Sequence, residues 1–104
     1  MKSALLVIDA QKIYTNENSE LYCKDSVNTI KKINRLIKFF QKNQQPIFLI
    51  KHIHKIDGSD LGRMFDFTGK SEENFNFKEI SAEVEYDNKL NKPKESFEII
   101  KTRY

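Results

Sequence analysis

Three short apolar runs and one helical stripe organise the chain. Ala4-Leu5-Leu6-Val7-Ile8 is uninterrupted by polar residues and ends in Asp9. A run of this kind, without alternation, fits a strand buried on both faces, as in a parallel sheet. Asp9 therefore falls at the carboxyl end of a strand. A polar loop is expected from Thr15 to Lys24, after which Asp25 or Ser26 can cap a helix. Within that helix Val27, Ile30, Ile33, Ile37 and Phe40 recur at helical spacing, while Lys31, Lys32, Arg35 and Lys38 fall mostly on the opposite, solvated face. The helix should close near Asn43, ahead of Pro46.

Ile47-Phe48-Leu49-Ile50 gives a second buried strand, so strand, helix and strand make a βαβ unit with a right-handed crossover. From Lys51 to Pro93 the pattern weakens. Gly58, Gly62 and Gly69 punctuate a stretch with Phe65, Phe67, Phe75 and Phe77 as aromatic anchors and no clear period. Ser81 to Asn91 suits a short helix or turn, and Phe97-Glu98-Ile99-Ile100-Lys101 reads as a third strand with Lys101 near its end. The fold class is α/β, a parallel sheet with flanking helices in a three-layer, Rossmann-like arrangement, incomplete in this chain. Three parallel strands and one crossover helix leave a sheet edge and much of one face uncovered, which parallel sheets disfavour. A further segment, in this chain or in a partner, is expected to cover them.

Composition narrows the classes. At 104 residues there is room for one domain at most. Apolar residues at 38% and charged residues at 32% fit a globular protein rather than a disordered one. No apolar stretch approaches the roughly 20 residues that span a bilayer, and Asp9 comes too early for a signal-peptide core. A cytoplasmic protein with no membrane partner is expected. The single cysteine, Cys23, excludes an internal disulfide. A net charge of +3, with Lys and Arg interleaved among Asp and Glu, provides no basic stripe, so nucleic acid is not an expected partner. The first strand is followed by Asp9-Ala10-Gln11-Lys12-Ile13, without a glycine to cradle phosphate and without a second acid to hold magnesium, which disfavours a nucleotide-binding or receiver domain.

In open α/β sheets the ligand crevice lies beyond the carboxyl ends of the strands, so Asp9 and Lys101 can point into one site. Beside a cysteine, a carboxylate can serve as general base and a lysine can favour thiolate and stabilise developing negative charge. His52 and His54, two apart at the end of the second strand, lie on one face. Two ligands do not make a metal site, and the alternatives are polar lining of a substrate pocket or a solvated strand end. Arg63, with Phe65 and Phe67, can close over a substrate, or the aromatics can anchor a long loop. Cys23 precedes a helix, where a thiol pKa falls, but it follows the first strand rather than a later one and reads as a loop cysteine.

Leu5-Leu6-Val7-Ile8-Asp9-Ala10-Gln11 followed by Tyr14, the long helix, Pro46-Ile47-Phe48-Leu49-Ile50, Gly58-Ser59-Asp60, and Ile99-Ile100-Lys101-Thr102-Arg103-Tyr104 together resemble the isochorismatase-like cysteine hydrolases. The order and spacing match along essentially the whole chain, and the resemblance makes residues 1–104 the N-terminal part of a single isochorismatase-like hydrolase domain. That family includes nicotinamidases and related amide and carbamoyl hydrolases, in which Asp, Lys and Cys form a triad on a parallel sheet. The resemblance makes Asp9 the family acid, Lys101 its lysine and Gln11 the glutamine that supports the site. It implies a small polar metabolite as substrate, cleaved at an amide or carbamoyl C–N bond or at the vinyl ether of isochorismate. It also implies self-association, as a homo-oligomer or with a partner chain over the open sheet.

The family cysteine lies well beyond the lysine strand, and no residue here matches it, so the chain alone is expected to be inactive. The nicotinamidase branch binds metal through an Asp and histidines near the second strand. The segment here is Lys51-His52-Ile53-His54, without the Asp-x-His pattern, so neither metal nor another cofactor is expected. The alternative is a truncated, non-catalytic binding or assembly module.

Overall fold

The computed structural model describes residues 2–57, 59–60, 79 and 81–103. Three strands, β1 (Leu5–Ile8), β2 (Ile47–His52) and β3 (Phe97–Lys101), form one sheet in the order β1-β2-β3. Both pairings are parallel, with Leu6 opposite Phe48 and Phe48 opposite Phe97, and Ile8 opposite Ile50 and Ile50 opposite Ile99. Between the first two strands lie a short helix, α1 (Lys12–Thr15), and a long one, α2 (Ser26–Lys42). A 3-10 turn, Ala82–Val84, precedes β3 within the stretch expected to hold a short helix or turn.

Helix α2 presents the stripe Ser26, Ile30, Ile33, Ile37 and Phe40 to the sheet. Ser26, Ile30 and Ile37 are buried, and Ile33 and Phe40 pack against the core. Val27, expected in that stripe, is half exposed, because Ser26 is the residue one full turn before Ile30. Asp25 occupies the N-cap position in a left-handed conformation (φ 68°) and makes no side-chain cap to the helix backbone. Its carboxylate accepts instead from the Asn28 side-chain amide at 2.6 Å. The helix ends on a Schellman arrangement: Gln44 is left-handed (φ 54°), Gln44 N–H donates to the Gln41 carbonyl at 3.1 Å, and Gln45 N–H to the Phe40 carbonyl at 2.9 Å.

The pleat sends alternate residues to opposite faces. On the α2 side, Val7 (2% exposed), Ile47 and Leu49 (1% each) join Ile30, Ile37, Tyr86 and Leu90 in the core. The other face carries two apolar rungs, Leu6-Phe48-Phe97 and Ile8-Ile50-Ile99. Here Leu6 is 54% exposed, Ile8 53%, Phe97 59% and Ile99 46%. The expectation of one uncovered face therefore matches these residues.

Helix α1 lies between β1 and the polar loop expected from Thr15, where the apolar pattern gives no element. It is held by tertiary bonds rather than by length: Lys12 N–H donates to the Glu85 carbonyl at 2.8 Å, and Asp87 N–H to the Ala10 carbonyl at 2.9 Å. The chain thus pairs briefly with the segment after the 3-10 turn, around an antiparallel bridge between Gln11 and Tyr86.

Candidate active site

Strands β1 and β3 flank β2, so their carboxyl ends are two strand spacings apart, roughly 10 Å. A lysine is long enough to cross that distance when an acid turns to meet it. Asp9 does so: it leaves β1 in the left-handed region (φ 60°), which breaks the strand's alternation. Its Oδ2 lies 3.3 Å from Lys101 Nζ, each side chain about a quarter exposed. The Lys101 ammonium also donates to the Arg103 carbonyl at 3.2 Å. Asp9 Oδ1 is buried and has no hydrogen-bond partner among the described residues. The pair therefore offers a carboxylate with one oxygen held by a cation and the other available to accept a proton.

A cavity of about 370 Å³ opens beside this acid, between the end of β1 and α2. Ile8, Asp9, Tyr14, Cys23 and Ile30 are among its walls. Cys23, exposed and unbridged, thus shares the cavity with Asp9, a proximity that its place in the sequence does not suggest.

Gln11 is wholly buried two residues beyond Asp9 and ties three segments together. Its Nε2 donates to the His52 carbonyl at 2.9 Å and to the Val84 carbonyl at 2.8 Å, and its Oε1 accepts from His52 N–H at 2.8 Å. One amide thereby satisfies the backbone at the end of β2 and at the 3-10 turn, fixing both relative to the acid.

His52 and His54 are buried, at 0% and 1% exposure, and their Nε2 atoms face each other at 2.9 Å. His54 Nδ1 is 3.4 Å from Asp60 Oδ1. The Asp60 carboxyl lies below its ordinary value: desolvation opposes this, and the Lys55 backbone N–H and the neighbouring His54 outweigh it. The two Nε2 atoms face each other, and no cluster of three potential metal ligands is present among the described residues. Arg63, Phe65 and Phe67 lie outside the described residues.

Two contributors escape a reading of motifs. Arg103 Nη1 donates to the Asp60 carbonyl at 2.6 Å and so joins the end of the turn after β2 to the stretch after β3. Tyr86 is buried under the ammonium of Lys51, which sits 4.5 Å from the ring centroid, and its hydroxyl donates to Glu98 at 3.1 Å. Burial first, and then the Glu98 carboxylate, push its phenol well above the ordinary tyrosine value. Neither partnership has a local sequence signal, because each joins residues from separate elements.

A parallel sheet with an acid and an amine meeting at its carboxyl ends defines an open α/β domain with a crevice at the usual ligand-binding end of the sheet. The isochorismatase domain family model matches residues 3–104, and the chain belongs to that family. The fold superposes on a cysteine hydrolase from Pseudomonas syringae pv. phaseolicola 1448A with a TM-score of 0.84 and 26% identity, covering 97% of this chain and 46% of that one. It also superposes on N-carbamoylsarcosine amidase from Thermoplasma acidophilum (TM-score 0.71, 16% identity, 97% and 52% covered). For the nicotinamidase/pyrazinamidase of Bacillus subtilis the values are 0.72, 21%, 99% and 57%. The chain thus spans about half the length of these solved proteins. A search of curated protein sequences finds no match. No helix among the described residues is long and apolar enough to cross a membrane.

Proposed function

We propose that this chain is the N-terminal part of a cysteine hydrolase that cleaves a C–N bond in a small polar amide or carbamoyl compound, with isochorismate-type vinyl ethers as the other substrate class of the family. The observation that carries this reading is the Asp9–Lys101 pair, an acid and an amine from separate strands held 3.3 Å apart beside a cavity. In the complete site a thiol attacks the acyl carbon and Asp9 Oδ1, the oxygen without a partner, takes its proton. Lys101 stabilises the thiolate and the negative charge that develops on the acyl oxygen. The leaving amine departs with a proton, and water hydrolyses the thioester. Gln11 acts through the backbone it holds rather than on the substrate.

The thiol comes from outside these 104 residues. Cys23, the one thiol present, belongs to the loop before α2, so the isolated chain is inactive. The proposal is tested by fusing residues 2–103 to the part of the P. syringae hydrolase that lies outside the matched region. Assays with nicotinamide and a carbamoyl amino acid should show turnover in the fusion and none in the chain alone. Turnover by the chain alone, lost in Cys23→Ser, would assign the thiol to Cys23 and overturn this account of the nucleophile. The open sheet face also favours a second reading, a non-catalytic assembly module, under which the fusion stays inactive although folded.

A further inference from the structure

Lys101 is held at both its backbone and its ammonium. It closes the parallel pairing opposite His52, and its carbonyl accepts from Ile53 N–H at 3.1 Å, so β2 fixes its backbone. Its ammonium meets Asp9 Oδ2 at 3.3 Å and the Arg103 carbonyl at 3.2 Å. The contact with Asp9 does not hold a lysine in place by itself. Both side chains are about a quarter exposed, and a partly exposed ion pair on a flexible lysine stem gains little more than the side-chain entropy lost in forming it. A second acceptor narrows where the ammonium rests, provided that acceptor is itself fixed.

What fixes the Arg103 carbonyl is the Arg103 side chain. A guanidinium Nη carries two hydrogens, and here Nη1 donates to the Thr102 carbonyl at 2.7 Å and to the Asp60 carbonyl at 2.6 Å. The first bond folds the guanidinium back onto its own backbone, and the second ties that fold to the turn after β2. Asp60 anchors this turn: its Oδ1 accepts from Lys55 N–H at 3.0 Å and lies 3.4 Å from Nδ1 of the buried His54. The path from the interior to the ammonium therefore runs from His54 and Lys55 through Asp60 and Arg103 to Lys101, and each link is a contact between named atoms.

We propose that Arg103 and Asp60 are positioning residues for the Lys101 ammonium. The guanidinium clamps residues 102–103 to the Asp60 carbonyl, the clamped Arg103 carbonyl receives Nζ, and Nζ is kept at the Asp9 carboxylate. Neither residue lines the cavity beside Asp9, so both act through Lys101. The consequence for catalysis rests on the reading of this site as that of a hydrolase, in which a group displaced by about 1 Å can lower the rate on the order of a hundredfold.

The test starts in the 104-residue chain, where no turnover is needed. Hydrogen exchange of the Lys101 ammonium is followed by NMR with isotope-labelled lysine in cold, mildly acidic solution, and the slow amides of the core show that each variant stays folded. Arg103→Ala and Asp60→Ala should each quicken that exchange at least about fivefold. Asp60→Asn keeps an oxygen for the Lys55 N–H and should stay within about twofold of the parent. Parental exchange in Arg103→Ala, or exchange in Asp60→Asn as fast as in Asp60→Ala, would overturn the proposal. In the fusion with the unmatched part of the P. syringae hydrolase, Arg103→Ala should lower kcat by about 10- to 100-fold and leave KM within about twofold. A raised KM at unchanged kcat would make Arg103 a substrate contact and also overturn it. If the parent fusion is inactive while exchange in the chain responds as expected, the hydrolase reading fails and the positioning of Lys101 stands.

Discussion

The two faces of the sheet are built from the same residue types and have opposite fates. Val7, Ile47 and Leu49 are sealed under α2, while Leu6 and Ile8 on β1 and Phe97 and Ile99 on β3, all on the opposite face, stay about half exposed. Hydrophobicity of a strand therefore reports what a face requires, and only the tertiary arrangement shows whether the requirement is met. In this molecule one face is met by α2, and the other stays open.

Alanine substitution should expose that contrast most strongly. Leu49→Ala deletes a side chain at 1% exposure and should cost about 2–5 kcal/mol in urea unfolding. Ile8→Ala, on the open face, should cost under about 1 kcal/mol. Equal costs would mean that the open face is packed in solution.

Gln11→Ala should cost about 2–3 kcal/mol, because it strands the His52 N–H and carbonyl and the Val84 carbonyl in the interior. Its signature is faster exchange of the His52 amide. A loss confined to α1 would contradict the role given to this amide.

The helix that seals the buried face ends on a strained residue. Gln44→Gly relieves a left-handed conformation at φ 54° and, after the entropy that glycine adds to the unfolded chain, should stabilise by about 0.5–1 kcal/mol. An unchanged unfolding midpoint would show that the Schellman turn is not formed.

Tyr86 provides the smallest and most specific effect. Its phenol is held neutral by burial and by Glu98, so its folded-state pKa is raised. The stability this confers is fully present below the ordinary tyrosine value of about 10 and is lost as pH rises above it. Unfolding midpoints should fall as pH rises above about 10, and Tyr86→Phe should flatten that fall. A fall that Tyr86→Phe leaves unchanged would assign the alkaline loss to other groups.

Much of the architecture was legible from local patterns. β1, β2 and β3 are unbroken or nearly unbroken apolar runs, and α2 carries a full helical stripe closed by Pro46, so each announces itself over a few residues. Helix α1 is too short for a period, and its buried anchor, Ile13, is fixed by contacts beyond its own turn. Asp9 and Lys101 could be placed at strand ends, and their ion pair now joins them, but neither the order of strands nor the left-handed turn at Asp9 has a local signal. Gln11 could be named as a support through family resemblance. Its partners His52 and Val84 are 41 and 73 residues away, beyond the reach of any spacing rule.

The most direct test of the account is the activity of the fusion of residues 2–103 with the unmatched part of the P. syringae hydrolase, carrying either Asp9→Asn or Lys101→Ala. If the pair is the acid and amine of a thiol hydrolase, the parent fusion turns over an amide or carbamoyl substrate and each substitution lowers kcat by about 10²- to 10⁴-fold without unfolding the protein. An active fusion that keeps its rate in Asp9→Asn would contradict the assignment of this site.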